Sequence, residues 1–135
     1  NCDSIRNIVF RDCDVLAGHG QGGVFTIHAG DRAVIEDVVY EDIRIEHFYD
    51  RFIDVTIFLS RYSVDDERGR VRNVQLRNVQ ACEDLYNTPS LISGLDAEHD
   101  ISGIHLHQVY MGDRHIDSLD ALHGFLRHAS DVTFD

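Results

Sequence analysis

The chain has 135 residues, 43% of them hydrophobic, and a formal net charge of −12 with no lysine at all. This composition is typical of one folded domain with a hydrophobic core and excludes a disordered chain. The acidic charge disfavours nucleic acid, and no apolar run approaches the roughly 18 residues of a membrane helix, so we predict neither kind of partner.

The chain is predicted to be a single domain over residues 1–135 and a fragment of a longer protein. It does not begin with Met, and it stops at SDVTFD, inside a strand-like pattern. We expect the parent protein to be secreted or periplasmic. The three cysteines, Cys2, Cys13 and Cys82, form no Cys-x-x-Cys pair, which argues against a zinc knuckle. A disulfide between Cys2 and Cys13 is compatible with the sequence.

Four segments and one partial copy share a single alternation of apolar and polar residues. Each full copy reads apolar-x-x-apolar-x-apolar-x-x-apolar-x-apolar, and the copies start 30, 36, 30 and 28 residues apart. The alternation indicates short strands with one buried face, and the two-residue gaps indicate bends. The copies are IRNIVFRDCDV (5–15), IEDVVYEDIRI (35–45), VRNVQLRNVQA (71–81), ISGIHLHQVYM (101–111) and ASDVTF (129–134).

Polar residues and glycine occupy the two bends of each copy, and such residues favour turns and tolerate a left-handed backbone. They are Asn7, Asp37, Asn73 and Gly103 at the first bend, and Asp12, Asp42, Asn78 and Gln108 at the second.

A further strand-like segment lies between successive copies, at 24–29, 52–59, 90–95 and 124–129. One such unit cannot bury its own face, whereas stacked units bury a continuous core. The sequence therefore predicts an all-β fold, a right-handed parallel β-helix of about four to five coils. Equivalent residues are expected to lie in columns, one holding Phe10, Tyr40, Leu76, Leu106 and Phe134 and another holding Cys13, Ile43, Val79 and Val109.

Two other repetitive folds fit the sequence less well. Strands of a β-sandwich return every 8–12 residues or so and are joined by hairpin turns such as Asn-Gly, which this chain lacks. A leucine-rich repeat needs a shorter period and a helix in each unit.

Two hexapeptides carry a signature of one family of β-helices. They are Asn7–Asp12 (NIVFRD) and Asn73–Asn78 (NVQLRN), and the first is followed by Gly18-His19-Gly20. In these features the chain resembles the pectin-lyase-like β-helices, and among them the polygalacturonase- and dextranase-like glycoside hydrolases. The resemblance implies hydrolysis of glycosidic bonds in a groove along the coils, with His19 beside catalytic carboxylates that the family carries upstream of this motif.

One departure from the family bears on the substrate. The Arg-x-Lys element of polygalacturonases is expected near residues 52–56, where this chain reads DRFIDVTI (50–57), with Arg51 but no lysine. Together with the acidic charge, this departure favours a neutral polysaccharide or oligosaccharide over an anionic one.

Glycoside hydrolysis uses two carboxyl groups roughly 5–10 Å apart, and stacked strands lie about 4.8 Å apart. Carboxylates at or near the segments between copies are therefore the candidates, and they are Asp31, Asp54 and Asp96. Asp31 is the candidate catalytic carboxylate, because it adjoins Arg32 and His28 in the densest polar cluster. An arginine orients a carboxylate by a paired hydrogen bond. An alternative is that Asp31 and Arg32 form a turn and a surface ion pair.

His19 is the second candidate catalytic residue, in a glycine-rich turn (GHGQGG) that would let a ligand approach the backbone. The same glycines would also serve a sharp turn alone. We expect His28, Arg32, Asp54 and Asp96 to bind substrate. No histidine spacing matches a standard ligand pattern, so we predict no metal and no cofactor.

Two segments depart from the repeat. The run Asp65-Asp66-Glu67-Arg68 lies in the longest coil and is predicted to be a solvated loop that projects from the β-helix. The segment 115–129 has apolar residues near helical spacing, which predicts either a short helix or a cap on an open end.

The sequence thus leads to two functional hypotheses. The first is a fragment of a polysaccharide-acting glycoside hydrolase. The second is a non-catalytic β-helix for carbohydrate binding, adhesion or structure. Exposed coil ends also predict self-association through them.

Overall fold

A computed structural model describes residues 3–84 and 88–135, so Cys2 lies outside the described residues. Within these ranges the chain forms strands and turns and no helix. The strands are β1 (Ser4–Val15), β2 (Gly23–Ala29), β3 (Val34–Ile45), β4 (Arg51–Ile57), β5 (Arg70–Ala81), β6 (Ser90–Ser93), β7 (Ile101–Met111), β8 (Arg114–His115), β9 (Gly124–Arg127) and β10 (Ala129–Phe134). The described residues thus contain no helix that could span a membrane.

The strands form two sheets that alternate along the chain. The main sheet has the order β1-β3-β5-β7-β10, all parallel, with β8 pairing antiparallel to β7. The second sheet has the order β2-β4-β6-β9, also parallel. The repeat copies are the strands of the main sheet and the segments between them are the second sheet. The predicted parallel β-solenoid is therefore confirmed, with about four turns.

Both predicted columns are confirmed by the strand register. Phe10 pairs with Tyr40, Tyr40 with Leu76, Leu76 with Leu106 and Leu106 with Phe134, and Cys13, Ile43, Val79 and Val109 follow one another in the same way. The Phe10 and Tyr40 rings stack with centroids 5.0 Å apart and planes 6° apart. Packed columns of this kind provide the core that one coil could not bury alone.

Each copy turns its corners at the two bend positions named above. All eight residues have positive φ, between 50° and 73°. At these corners, two asparagine amides of β5 donate to carboxylates of the coil before them. Asn73 Nδ2 donates to Asp37 Oδ1 at 2.6 Å, and Asn78 Nδ2 donates to Asp42 Oδ1 at 2.6 Å.

Charged side chains on the outer face of the main sheet also alternate from coil to coil. Arg11 Nε lies 2.6 Å from Glu41 Oε2, and Arg77 lies 3.8 Å from the other oxygen of Glu41. In an in-register parallel stack, identical charges would lie one strand spacing apart and repel. The alternation therefore supports the observed register.

The helix considered for segment 115–129 is not formed. Residues 118–123 make turns, in which Leu122 N donates to Ser118 O at 3.0 Å and Gly124 N donates to Leu119 O at 2.9 Å. Ile116 and Leu122 are buried in the core. Their near-helical spacing arises because a turn directs both side chains inward before β9 begins.

Candidate functional site

The outer face of the second sheet carries two rows of side chains across its four strands. Inward-facing residues such as Ile27 and Val55 alternate with these rows and join the core. By strand register, one row holds Thr26, Asp54, Leu91 and Phe125, and the other holds His28, Thr56, Ser93 and Arg127. The rows therefore place donors, acceptors and one exposed aromatic ring on a single face.

Asp54 is the buried centre of this face, with 4% of its surface exposed. Its Oδ2 lies 3.1 Å from His28 Nε2 and 3.5 Å from an amino nitrogen of Arg51. Its Oδ1 accepts a hydrogen bond of 2.6 Å from the Thr56 hydroxyl. A carboxylate in this position needs such partners, because an unpaired buried charge is strongly unfavourable.

Arg51 completes the cluster and carries a donor with no protein acceptor. Its Nε is buried and has no hydrogen-bond partner among the described residues. Buried polar atoms in folded proteins are nearly always hydrogen-bonded to protein, water or ligand. The cluster of His28, Arg51, Asp54 and Thr56 thus has one unused donor beside its carboxylate.

A cleft of about 340 Å³ adjoins the cluster at the end of β2. His28 lies at its edge, with its ring perpendicular to that of Phe58 at a centroid distance of 5.3 Å. The loop of residues 58–69, which follows β4, forms the facing wall. The lining residues include Gly30, Asp31, Phe58, Ser60, Tyr62 and Ser63. We call this the His28 cleft.

Asp31 lines the His28 cleft and holds the loop after β4 in place by hydrogen bonds. Its Oδ1 accepts hydrogen bonds from the backbone nitrogens of Val64 at 2.8 Å and Asp65 at 3.3 Å. Arg68 lies 4.0 Å from the same oxygen and 3.6 Å from Asp65 Oδ1, and its side chain is 7% exposed. The acidic loop is therefore partly folded against the coil rather than fully solvated as predicted.

Arg32 does not orient Asp31 as the sequence suggested. Its Nε lies 2.9 Å from Asp3 Oδ1, and both side chains are exposed. The side chains of adjacent residues just after a strand point in different directions. Arg32 therefore pairs with Asp3, while Asp31 faces the loop of residues 58–69. Likewise, the charged partner of His28 is Asp54, which follows it by 26 residues.

His19 lies elsewhere, in the turn between β1 and β2. Its ring centroid is 4.9 Å from that of His47 and 6.3 Å from that of Tyr49. His47 Nδ1 in turn lies 2.8 Å from Glu83 Oε2. The rings near His19 therefore belong to His47 and Tyr49, in the turn between β3 and β4 of the next coil.

Asp96 lies in the turn after β6, where its Oδ1 accepts from the backbone nitrogens of Glu98 at 2.9 Å and His99 at 2.8 Å. A third hydrogen bond of 2.8 Å joins it to His99 Nδ1. The His99 ring, followed by these backbone donors, holds the pKa of Asp96 below its ordinary value. Of the three carboxylates predicted from the sequence, only Asp54 lies within a strand of the second sheet.

Sequence reasoning named His28 and Asp54 as site residues but missed their partners Arg51 and Thr56. It also missed the residues farther along the same rows, which are Ser93, Phe125 and Arg127. The available signal was the alternation within 51–57, 90–93 and 124–127. This signal was not sufficient. The connections between the segments differ in length, so the sequence does not show which residues of neighbouring segments pair.

The described residues contain no cluster of three or more His, Cys, Asp or Glu side chains that could hold a metal ion. Comparison of the chain with family models, with curated proteins and with solved structures finds no match.

Proposed function

We propose that the protein binds a neutral polysaccharide along the outer face of its second sheet and in the His28 cleft. The observation that carries this proposal is the buried Asp54, hydrogen-bonded to Thr56 and paired with His28 and Arg51, beside a cleft bordered by an exposed aromatic loop. A carboxylate held this firmly on a sheet surface presents its partners in fixed orientations, which favours recognition of a rigid polar ligand.

The chemistry of the face suits sugar hydroxyl groups. Ser93 and Thr56 offer hydroxyls, the exposed His28 offers a ring nitrogen, and each of these lies on a strand of a regular sheet. Neighbouring strands lie about 4.8 Å apart, so a linear chain that crosses them would meet an outward-facing side chain from each strand in turn. Aromatic rings at Tyr62 and Phe125 are exposed and offer flat apolar surface.

The net charge selects against an acidic ligand. With a formal charge of −12, the molecule repels polyanions at long range, although Arg51 and Arg127 lie on this face. A neutral glucan avoids that repulsion and still meets the exposed polar side chains of the face, such as His28 and Arg127.

Binding is tested with dextran as the neutral probe and polygalacturonate as the acidic one, in affinity electrophoresis. We expect retardation by dextran, and a roughly tenfold weaker retardation for His28→Ala, since one lost hydrogen bond costs about 1–1.5 kcal/mol. His107→Ala is the matched control, because His107 is an exposed histidine on the main sheet. Equal effects of the two substitutions would exclude the second sheet as the binding face.

Hydrolysis of the bound glycan is the second candidate function. It is favoured by the position of His28, which contacts Asp54 and lines the same cleft as Asp31, so that one carboxylate touches the imidazole and a second borders the same cleft. Two such groups are the usual requirement of a glycosidase. Both of them also make structural hydrogen bonds, which favours binding over hydrolysis.

Release of reducing ends separates the two functions. If the cleft hydrolyses glycans, the unmodified chain releases reducing ends from dextran, and Asp31→Asn and Asp54→Asn lose that activity while still binding. The asparagine variants retain an oxygen acceptor, so they preserve much of the local hydrogen bonding. Binding without any reducing-end release would rule out the hydrolase and leave the binding function intact.

A further inference from the structure

The loop wall of the His28 cleft contains a tight turn that is bonded to the preceding coil. Ser63 N donates to Ser60 O at 3.0 Å. Ser60 N donates to Ser63 Oγ at 3.1 Å, and Tyr62 N donates to Ser60 Oγ at 3.0 Å. The Ser63 hydroxyl donates in turn to the carbonyl of Gly30, directly after β2. The backbone of residues 60–63 therefore has a fixed position beside the cleft.

Tyr62 presents an aromatic ring that is both exposed and held in one orientation. The residue lines the His28 cleft and is 72% exposed. The guanidinium carbon of Arg61 lies 4.7 Å from the ring centroid, and a nitrogen of the same group donates to the Tyr62 hydroxyl. This cation–π contact and hydrogen bond restrict a side chain that would otherwise sample several rotamers. One face of the ring is therefore covered by Arg61, and the other is accessible to a ligand.

The sheet side of the cleft offers a different chemistry. His28 Nε2 lies 3.1 Å from Asp54 Oδ2, and Phe58 packs perpendicular to the imidazole at 5.3 Å, so the ring is held from two sides. The His28 side chain is still 38% exposed, which leaves part of the imidazole for a ligand. The cleft is thus bordered by a flat apolar surface at Tyr62 and by a hydrogen-bonding ring at His28. Its volume of about 340 Å³ is at the lower end of the range for small-molecule sites.

These two surfaces restrict the kind of sugar ring that fits. The negative face of an aromatic ring attracts C–H groups, whereas an axial oxygen on the sugar would hold the two rings apart and lose its water. In a β-linked glucan every oxygen substituent of the pyranose ring is equatorial, so both faces are C–H surfaces and the hydroxyls lie at the edge. In an α-linked mannan the axial linkage oxygen and the axial 2-hydroxyl lie on opposite faces, so neither face is free.

We propose that Tyr62 is the stacking platform of this site and that the ligand is a glucan of β-linked, all-equatorial glucose units. One sugar ring lies with its C–H face on Tyr62 and directs an edge hydroxyl towards His28. Arg61 is a positioning residue, because it orients the Tyr62 ring from the face opposite the ligand. This inference rests on the proposed binding of a neutral polysaccharide, and it names the class of sugar and the residue that selects it.

The test compares two neutral probes in affinity electrophoresis, a soluble mixed-linkage β-glucan and an α-mannan. The unmodified chain is expected to be retarded more strongly by the β-glucan. Dextran, whose axial linkage oxygen lies on one face only, is expected to fall between them. Tyr62→Ala should weaken retardation by the β-glucan about tenfold and retardation by the α-mannan less than about twofold, because only the first ligand loses a stacking contact. Tyr62→Phe keeps the ring and should retain the preference for β-glucan.

The positioning role of Arg61 is tested by Arg61→Gln, which removes the charge over the ring and leaves Tyr62 in place. We expect a smaller loss of β-glucan retardation than in Tyr62→Ala. A variant that combines both substitutions should bind no more weakly than Tyr62→Ala alone, because Arg61 acts only through that ring. An additive loss in the combined variant would show that Arg61 contacts the glycan by itself.

Tyr49→Ala is the matched control, because Tyr49 is an exposed tyrosine whose ring lies near His19 rather than in the cleft. It is expected to bind both probes like the unmodified chain. Far-UV circular dichroism checks that each variant is folded, and Tyr62→Gln replaces Tyr62→Ala if the alanine variant does not fold.

Three outcomes overturn the inference. Equal retardation of Tyr62→Ala and Tyr49→Ala by the β-glucan would exclude Tyr62 as the stacking residue and leave the proposed binding function, which depends on His28, intact. Equal retardation of the unmodified chain by β-glucan and α-mannan would refute the sugar class. Retardation by none of the three glycans would overturn the proposed function together with this inference.

Discussion

At the residue scale, the corners depend on side chains that accept a left-handed backbone. Asn73 has a φ of 50°, accepts a hydrogen bond of 2.7 Å from Gln75 Nε2 and donates one of 2.6 Å to Asp37. A β-carbon without a local polar group makes this conformation unfavourable, whereas glycine adopts it freely. Two separable effects therefore stabilise the corner, namely backbone conformation and hydrogen bonding.

Asn73→Ala is expected to lower the free energy of unfolding by about 3–4 kcal/mol, because it introduces about 1–2 kcal/mol of backbone strain and removes two hydrogen bonds worth about 1 kcal/mol each. Asn73→Gly removes both hydrogen bonds without the strain and should cost clearly less. Urea denaturation of the three proteins measures the difference. An alanine variant as stable as the glycine variant would contradict the role given to φ.

Asp96 makes stability depend on acid. Its pKa is depressed in the folded protein, chiefly by the hydrogen bond from the His99 ring. The resulting stabilisation is therefore complete above the unfolded pKa of about 3.9 and is lost as the pH falls through the lower folded pKa. We expect unmodified protein to lose more stability than Asp96→Asn between about pH 5 and pH 2.5. Urea denaturation at several pH values tests this, and parallel curves for the two proteins would refute it.

At the element scale, one carboxylate determines the position of the loop that borders the cleft. Asp31 accepts from Val64 N and Asp65 N, and Ser63 Oγ donates to Gly30 O at 2.5 Å. These bonds join the turn after β2 to the loop after β4, which is the longest connection in the repeat. The geometry of the cleft therefore depends on a contact across more than thirty residues.

Asp31→Ala is expected to free this loop and speed tryptic cleavage after the exposed Arg61, since the backbone would lose its acceptor. The far-UV spectrum should stay unchanged, because the strands remain paired. Asp31→Asn retains an oxygen acceptor and is the matched control, expected to resist trypsin nearly as well as the unmodified chain. Equal cleavage of the alanine variant and the unmodified protein would show that other contacts hold the loop.

Register within the main sheet was readable from the sequence, and register within the second sheet was not. Copies of eleven residues contain enough apolar positions to align themselves, so the pairing of Val9 with Val39 follows from the pattern. The strands of the second sheet have only four to seven residues each, too few to fix their alignment by pattern alone. For this reason Asp54 and His28 were both named, but their contact was not foreseen.

At the scale of the whole molecule, stability comes from the close approach of successive coils. Gly69 is buried immediately before β5, and a β-carbon there would lie 1.8 Å from Ala33 O and 2.6 Å from Ala33 C. Both atoms are backbone, so the only relief is to separate two coils. Since each coil is stabilised by its neighbours, a local separation weakens the stack on either side.

Gly69→Ala is expected to lower the free energy of unfolding by at least about 3 kcal/mol, at the upper end of overpacking effects. Gly20→Ala is the control, because nothing lies within 4 Å of a β-carbon at that position. Thermal denaturation of the two variants, followed by circular dichroism, compares them directly. Similar melting temperatures would mean that the coils can separate at little cost.

The period, the columns and the corners could be read from the amino-acid sequence, because each depends on residue type at a regular spacing and every coil repeats the same local requirement. The site became visible only in the folded chain. Asp54 meets His28 because two short strands align through the coils on either side of them, and Asp31 holds the loop because residues 33 and 34 positions later return to it. Side-chain contacts of this kind depend on the path of irregular connections, which no periodic pattern encodes.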